Sequence, residues 1–248
     1  MIFKRLLLLF GCICLLPGCW NQAPQKSPPD PPSTSSPEKA VSKESDSGTG
    51  ESEAKPAFQP EAKQSIDLLE QDSLDGWETA NFGGERECTV ESGVLNIEAG
   101  YPLNGVVTTR EDLPVDQFEI SLEAKRVEGV DFFCGLTFPV GEGHCTFIVG
   151  GWAGAIVGLS CIDGKDAARN ETKTLMNFED DQWYRIKIRV DSHVTAWIDD
   201  QQVAYVARAG KEFTLRNETL VTRPYGLCTF ETTAQYRNIK LTKLSPTK

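Results

Sequence analysis

Residues 134–161 read CGLTFPVGEGHCTFIVGGWAGAIVGLSC. Three cysteines, a histidine, a tryptophan and repeated glycines in so short a span admit three readings: a metal site, a catalytic loop or ordinary core. Successive side chains of a β-strand point to opposite faces, so parity separates them. From Phe132 to Phe138 one face carries Phe132, Cys134, Leu136 and Phe138, and the other Phe133, Gly135 and Thr137. After a Gly141-Glu142-Gly143 turn, Cys145, Phe147 and Val149 oppose His144, Thr146 and Ile148. In a third strand Val157, Leu159 and Cys161 oppose Ile156, Gly158 and Ser160. Each cysteine falls with large apolar residues, as small buried hydrophobes do. The same rule sets Cys88 beside Val90 and Cys228 beside Phe230. The thiols are therefore expected in a core and His144 on the opposite surface. A Cys/His zinc site needs these groups to converge, and the chain has no Cys-x-x-Cys pair, so no metal is expected.

The surrounding sequence has the same period. FEISLEAK (118–125), WYRIKIRV (183–190), VTAWID (194–199) and VLNIE (94–98) alternate apolar with polar residues, the pattern of half-buried strands. Short polar or glycine-bearing connections at 91–93, 140–143, 191–193 and 199–201 suit hairpins. No long run has helical spacing. About a dozen short strands with frequent turns predict an all-β chain, a jelly-roll β-sandwich of two antiparallel sheets. A turn at Ser192 sets Arg185 opposite Asp199 and Lys187 opposite Trp197, pairs that decorate an exposed sheet and stabilise it by about 0.2–1 kcal/mol each.

Outside the sandwich the composition changes. MIFKRLLLLFGCICLLPGCW opens with Lys4 and Arg5 and continues in an apolar run too short to span a bilayer, which reads as a secretory signal. Its end, Leu16-Pro17-Gly18-Cys19, is similar to a bacterial lipobox, so Cys19 is the expected lipidation site and residues 1–19 the lipoprotein signal. Residues 20–63 are rich in Pro, Ser, Glu and Lys with almost no large apolar side chain. Such a segment buries too little to offset its ordering entropy and is expected to be a disordered tether. These features predict an envelope protein anchored to a membrane through lipid only, with residues 64–248 as one domain. With the signal and Cys19 set aside, five of the eight cysteines remain, an odd number that excludes complete internal pairing. The net charge of −11 argues against a nucleic-acid partner, which demands a basic footprint.

The face opposite the cysteines carries Gly135, Thr137, His144, Thr146, Gly158 and Ser160, and small polar residues let a flat ligand approach a sheet. Trp152, in a Gly-Gly-Trp-Ala-Gly turn, could stack on a sugar ring, which makes carbohydrate the expected partner. A solvated or loop-covered outer face is the alternative. Asp163, Asp166, Asn170 and Glu171 lie in the long connection after the third strand, where binding groups concentrate. Asp163 and Asp166 make a weak calcium pattern. Asn170-Glu171-Thr172 and Asn217-Glu218-Thr219 match the glycosylation pattern, an incidental match in a chain with a bacterial type of signal.

Taken in order, Ile66-Asp67-Leu68-Leu69, Leu74-Asp75-Gly76-Trp77, Thr89 to Leu95, Phe118 to Glu123, Trp183 to Ile188, Trp197-Ile198-Asp199-Asp200 and Ile239-Lys240-Leu241 resemble the 3-keto-disaccharide hydrolase domain family. The resemblance implies a concanavalin-like lectin/glucanase sandwich of the kind abundant in planctomycete envelopes, and chemistry on sugars oxidised at C3. A ketone there acidifies the C2 hydrogen, so a positioned carboxylate or histidine could remove it and expel the glycosidic oxygen, with water adding afterwards. His144, Asp163, Glu171 and Glu231 are the candidate bases; Trp152, Thr137, Thr146, Ser160, Asn170 and Arg223 are the candidate sugar contacts. Many members carry Gly-Asn-Ser-Gly followed by a Glu-containing strand, where this chain reads Asp131-Phe132-Phe133-Cys134-Gly135 and Phe147 to Trp152 without an acid. Two functions therefore stand: a hydrolase or lyase of 3-keto-glycosides, or a tethered glycan-binding or adhesion module without catalysis.

Overall fold

A computed structural model describes residues 65–245; the signal, Cys19 and nearly all of the tether lie outside them. Fifteen strands follow in order: β1 (Ser65–Asp67), β2 (Trp77–Thr79), β3 (Cys88–Glu91), β4 (Val94–Ile97), β5 (Leu103–Thr108), β6 (Phe118–Gly129), β7 (Cys134–Val140), β8 (Gly143–Gly150), β9 (Ile156–Ser160), β10 (Thr174–Leu175), β11 (Trp183–Val190), β12 (His193–Ile198), β13 (Gln201–Ala207), β14 (Gly226–Phe230) and β15 (Thr232–Lys243). A single 3-10 helix, Asn217–Thr222, precedes β14.

The strands form two antiparallel sheets, as the alternation predicts. Eight strands run β13-β12-β11-β6-β15-β4-β3, with β1 also on β15, and seven run β10-β9-β8-β7-β14-β5-β2. One apolar cluster fills the space between them, with Phe118, Ile120, Leu136, Phe147, Leu159, Ile188 and Tyr236 all at most 1% exposed. Full burial of such side chains stabilises by about 1.5–3 kcal/mol each, so this layer holds the sheets together. Tyr236 lies wholly inside it because its hydroxyl donates to Phe133 O at 2.6 Å, satisfying the polar tip. The β11–β12 register has Lys187 opposite Trp197, and Asp199 N donates to Arg185 O at 2.9 Å, the pairing expected from a turn at Ser192.

Parity places Cys88, Cys134 and Cys145 in the inter-sheet core, as expected. It fails at three points. Cys161 is buried but outside that cluster, with Ile162 taking the core position instead. Phe133 lies in the core beside Cys134, while Phe132 turns outward. The ladder of β7 starts only at Cys134, and Phe133 N donates to Val149 O, the carbonyl of the residue already opposite Cys134. Two successive residues thus face one partner, and alternation cannot be counted through such an irregularity. Cys228 and Phe230 also face outward, with Leu227 taking the core position. Cys228 lies between Gly135 of β7 and Gly105 of β5; a Cβ on Gly135 would meet Cys228 Sγ at 2.8 Å. The thiol fills the space that two glycines leave on the outer face. All five described cysteines are free and buried.

Candidate functional site

The outer face of the seven-stranded sheet is partly roofed. Ala167, from the connection after β9, packs near Gly158, and the 3-10 helix lies over β5 and β14. Between roof and sheet a cleft of about 220 Å³ remains, floored by Leu103, Phe132, Ile148 and Phe230. Trp152 and Ser160 border it, and Asp131, Arg216, Glu218 and Thr219 supply polar walls. An apolar floor with a few convergent polar groups is the usual make-up of a small-molecule site.

Trp152 stands in the turn between β8 and β9, 42% exposed. The chain turns there through left-handed backbone at Gly150, Trp152, Ala153 and Gly154. Glycine is required at Gly150, where φ is +79° and a Cβ would meet the Phe133 ring at 3.1 Å. The turn is pinned by Asp131: Oδ2 accepts Ala153 N–H at 2.9 Å, and Oδ1 accepts Phe132 N–H at 2.7 Å. One carboxylate thereby fixes both the indole at the rim and the phenyl ring on the floor. Phe132 in turn packs against Phe230 with ring centroids 5.9 Å apart.

On the far wall Arg216 is held from two sides. Its Nε donates to Glu218 Oε1, and its Nη1 lies 3.3 Å from Oδ2 of buried Asp166. Arg169 also pairs with Asp166 at 2.6 Å. These partners, Arg169 first, hold the Asp166 carboxyl below the usual carboxylate range. A guanidinium so fixed presents its remaining N–H groups without having to reorganise.

The structure brings only two of the ten sequence-derived site residues to the cleft, Trp152 and Ser160. Thr137 and Thr146 are buried, their hydroxyls 2.9 Å apart, and Thr137 continues to Thr222 at 2.7 Å. That chain fastens the 3-10 helix to the sheet and leaves neither hydroxyl facing a ligand. Asn170 is buried too: Nδ2 donates to Leu159 O and Lys165 O, and Oδ1 accepts from Thr172. It frames the loop. Asp163 and Glu171 lie together, but both on Lys211, at 2.9 and 2.8 Å. The Asp163 carboxyl is lowered by the backbone N–H of Glu212 and by Lys211, and that of Glu171 by Lys211, which makes both weaker bases. His144 faces Pro139 across the β7–β8 ladder, half-buried; burial, then the Arg223 cation, lowers its pKa. Glu231 is exposed at positive φ just past β14, off the cleft lining. The calcium pair is taken up by cations, Asp163 by Lys211 and Asp166 by Arg169 and Arg216. Among the described residues no three His, Cys, Asp or Glu side chains group as metal ligands.

Asp131, Arg216 and Glu218 were missed by the sequence reading. Asp131 precedes the break in parity at which successive Phe133 and Cys134 both enter the core, and local alternation gives no sign of that break. Arg216 is the N-cap residue of the 3-10 helix and Glu218 lies in its first turn, an element of six residues too short for hydrophobic periodicity to reveal.

A family model described as a 3-keto-alpha-glucoside-1,2-lyase-like domain matches residues 64–242. No curated protein matches the chain. Among solved structures, a point variant of the Emp46p carbohydrate recognition domain is similar in fold at TM-score 0.50 and 10% identity, covering 74% of this chain and 96% of that one. The carbohydrate-binding module CBM66 of Bacillus subtilis aligns at TM-score 0.42 and 14% identity, over 66% of this chain and 94% of that one. Apo Crh5 transglycosylase aligns at TM-score 0.48 and 11% identity, over 74% and 84%.

Proposed function

The chain belongs to the 3-keto-alpha-glucoside-1,2-lyase-like domain family, and from that premise we propose that it binds a 3-keto-glycoside in the Trp152 cleft and eliminates its glycosidic oxygen. The observation that carries the reading is the Arg216–Glu218 pair on the wall of an aromatic cleft. In that reading the sugar ring lies over the Phe132–Phe230 floor against Trp152. The carboxylate of Glu218, whose Oε2 makes no hydrogen bond among the described residues, takes the C2 proton. Arg216 stabilises the negative charge that develops on the C3 oxygen. The enolate then reforms the C3 ketone, its electron pair makes the C1=C2 bond, and the C1–O bond breaks. The departing alkoxide takes the proton back from Glu218, so that atoms and charge balance; water added across C1=C2 would complete a net hydrolysis.

The test is release of glucose from 3-keto-trehalose by the purified domain, followed by NMR. The reading expects turnover above buffer that falls at least about 100-fold in Glu218→Gln, as loss of a general base does. Turnover equal to buffer with an intact melting transition removes the catalytic step.

A binding module without catalysis is the second reading, favoured by Asp131, whose two oxygens are both occupied by backbone N–H groups. Binding of the same sugar without turnover would select it. The signal-like N-terminus further supports an envelope-anchored lipoprotein modified at Cys19. Incorporation of labelled palmitate that is lost in Cys19→Ala tests that location.

A further inference from the structure

The outer face of the eight-stranded sheet carries an ordered set of cross-strand rows on β11, β6 and β15. In one row Arg185, Glu123 and Arg237 stand side by side, and in another Arg189, Glu119 and Thr242. In both, β6 supplies a glutamate that an arginine clamps: Arg237 donates twice to Glu123 Oε2 at 2.8 and 2.6 Å, and Arg189 twice to Glu119 Oε2 at 3.1 and 2.8 Å. The row between them reads Lys187, Ser121 and Lys240, with Trp197 of β12 next to Lys187. Here β6 offers a serine where its neighbours offer carboxylates.

A bulge creates this row. The β15 register jumps between Arg237 and Lys240, with Asn238 in left-handed backbone, so Lys240 faces outward opposite Ser121. Simple alternation would have brought Ile239 there. Bulges that re-aim one side chain recur beside binding sites. A second register shift, at Ala196/Trp197, borders the other end of the row. Between them lies a cleft of about 250 Å³ lined by Ser121, Lys187, Trp197, Asn238 and Lys240; Glu123 and Asp200 line it too, their carboxylates held by Arg237 and Arg185. Lys187 has no carboxylate partner among the described residues; its ammonium lies over the Trp197 ring at 4.6 Å. Lys240 has only Asp67 at 3.3 Å, an exposed pair at the sheet rim that is weakly held.

We propose that this cleft is a second ligand site, for the anionic group of an acidic saccharide. A carboxylate or sulfate above Ser121 supplies the counter-charge that Lys187 lacks and competes for the Lys240 ammonium with Asp67, which stands opposite it in the same row. Ser121 and Asn238 can bond the sugar hydroxyls, and Trp197 offers a ring face at the end of the row. The chain's net charge of −11 disfavours a long polyanion such as duplex DNA, while a single anionic unit needs only local attraction.

Calorimetric titration of the purified domain with trigalacturonate, a κ-carrageenan tetrasaccharide and maltotriose tests the site and separates carboxylate from sulfate. The expected result is saturable binding of at least one acidic oligosaccharide, about tenfold weaker in Lys187→Gln and undiminished in Trp152→Ala. Ser121→Glu should abolish it, because the new carboxylate occupies the vacancy, and should leave the melting temperature equal or higher, which separates filling the site from unfolding. Absence of binding by both acidic sugars overturns the proposal. Unchanged binding in Ser121→Glu, or equal affinity for maltotriose, overturns it as well.

Discussion

The Asp131 carboxylate accepts the backbone N–H of Ala153 at 2.9 Å and so ties the start of β7 to the turn that carries Trp152. The contact spans 22 residues and is not duplicated by backbone pairing at that turn tip. Asp131→Ala releases one amide at the rim and one beside Phe132. Hydrogen bonds to a charged group contribute about 1.5–3 kcal/mol, reduced here because Asp131 is only half-buried. We expect about 1–2 kcal/mol lost in urea unfolding, with an indole fluorescence anisotropy that falls as the turn loosens. Asp131→Asn should recover part of both.

Trp152→Ala separates recognition from folding. The indole is an exposed group at the rim of the cleft, so stability should change by less than about 0.5 kcal/mol. Affinity for a disaccharide ligand should fall tenfold or more. Isothermal titration beside a thermal melt measures the two effects in one sample.

Gly135 and Cys228 form a packing pair across β7 and β14. Gly135→Ala brings a Cβ to 2.8 Å from Cys228 Sγ and should cost about 1–3 kcal/mol. Cys228→Ala vacates that space, so the double variant should be more stable than Gly135→Ala alone. Burial pushes the Cys228 thiol up to about 12, so native protein should react with Ellman's reagent at this site only after unfolding.

Asp166 and His144 are among the groups that shape the acid limb of the stability curve. Asp166 is held below its ordinary range when folded, so the folded state binds fewer protons than the unfolded chain. Its contribution is present above about pH 4 and lost as pH falls through the folded value. His144, lowered by burial and then by Arg223, acts earlier: the unfolded imidazole protonates near pH 6.5 while the folded one resists, so stability declines on acidification from there. His144→Asn should flatten the decline just below pH 6.5, and Asp166→Asn the one below about pH 4, in unfolding free energies measured from pH 8 to 3.

Much of this architecture is legible as period-two patterning. The strand at 183–190 and its hairpin register with Trp197 follow from alternation and turn placement alone. Local pattern reports the face of a residue only while the ladder is unbroken, which is why Phe132 and Phe133 exchange sides at the entry to β7. Cys228 escapes for another reason: the space it fills belongs to Gly135 and Gly105, on strands distant in sequence. The site was less legible. Thr137, Thr146 and Asn170 are polar and on the expected sheet or loop, yet their hydrogen bonds close on Thr222, Leu159 O and Lys165 O. Arg216 and Glu218 come from a short 3-10 helix whose position depends on the Thr137–Thr222 contact.

The most direct test of the cleft is the indole N–H spectrum of ¹⁵N-labelled protein during titration with 3-keto-trehalose. A ligand on the Phe132–Phe230 floor should shift the Trp152 signal in a saturable way and leave those of Trp183 and Trp197, on the opposite sheet, in place. A saturating ligand that moves Trp183 or Trp197 and leaves Trp152 unmoved would contradict the account.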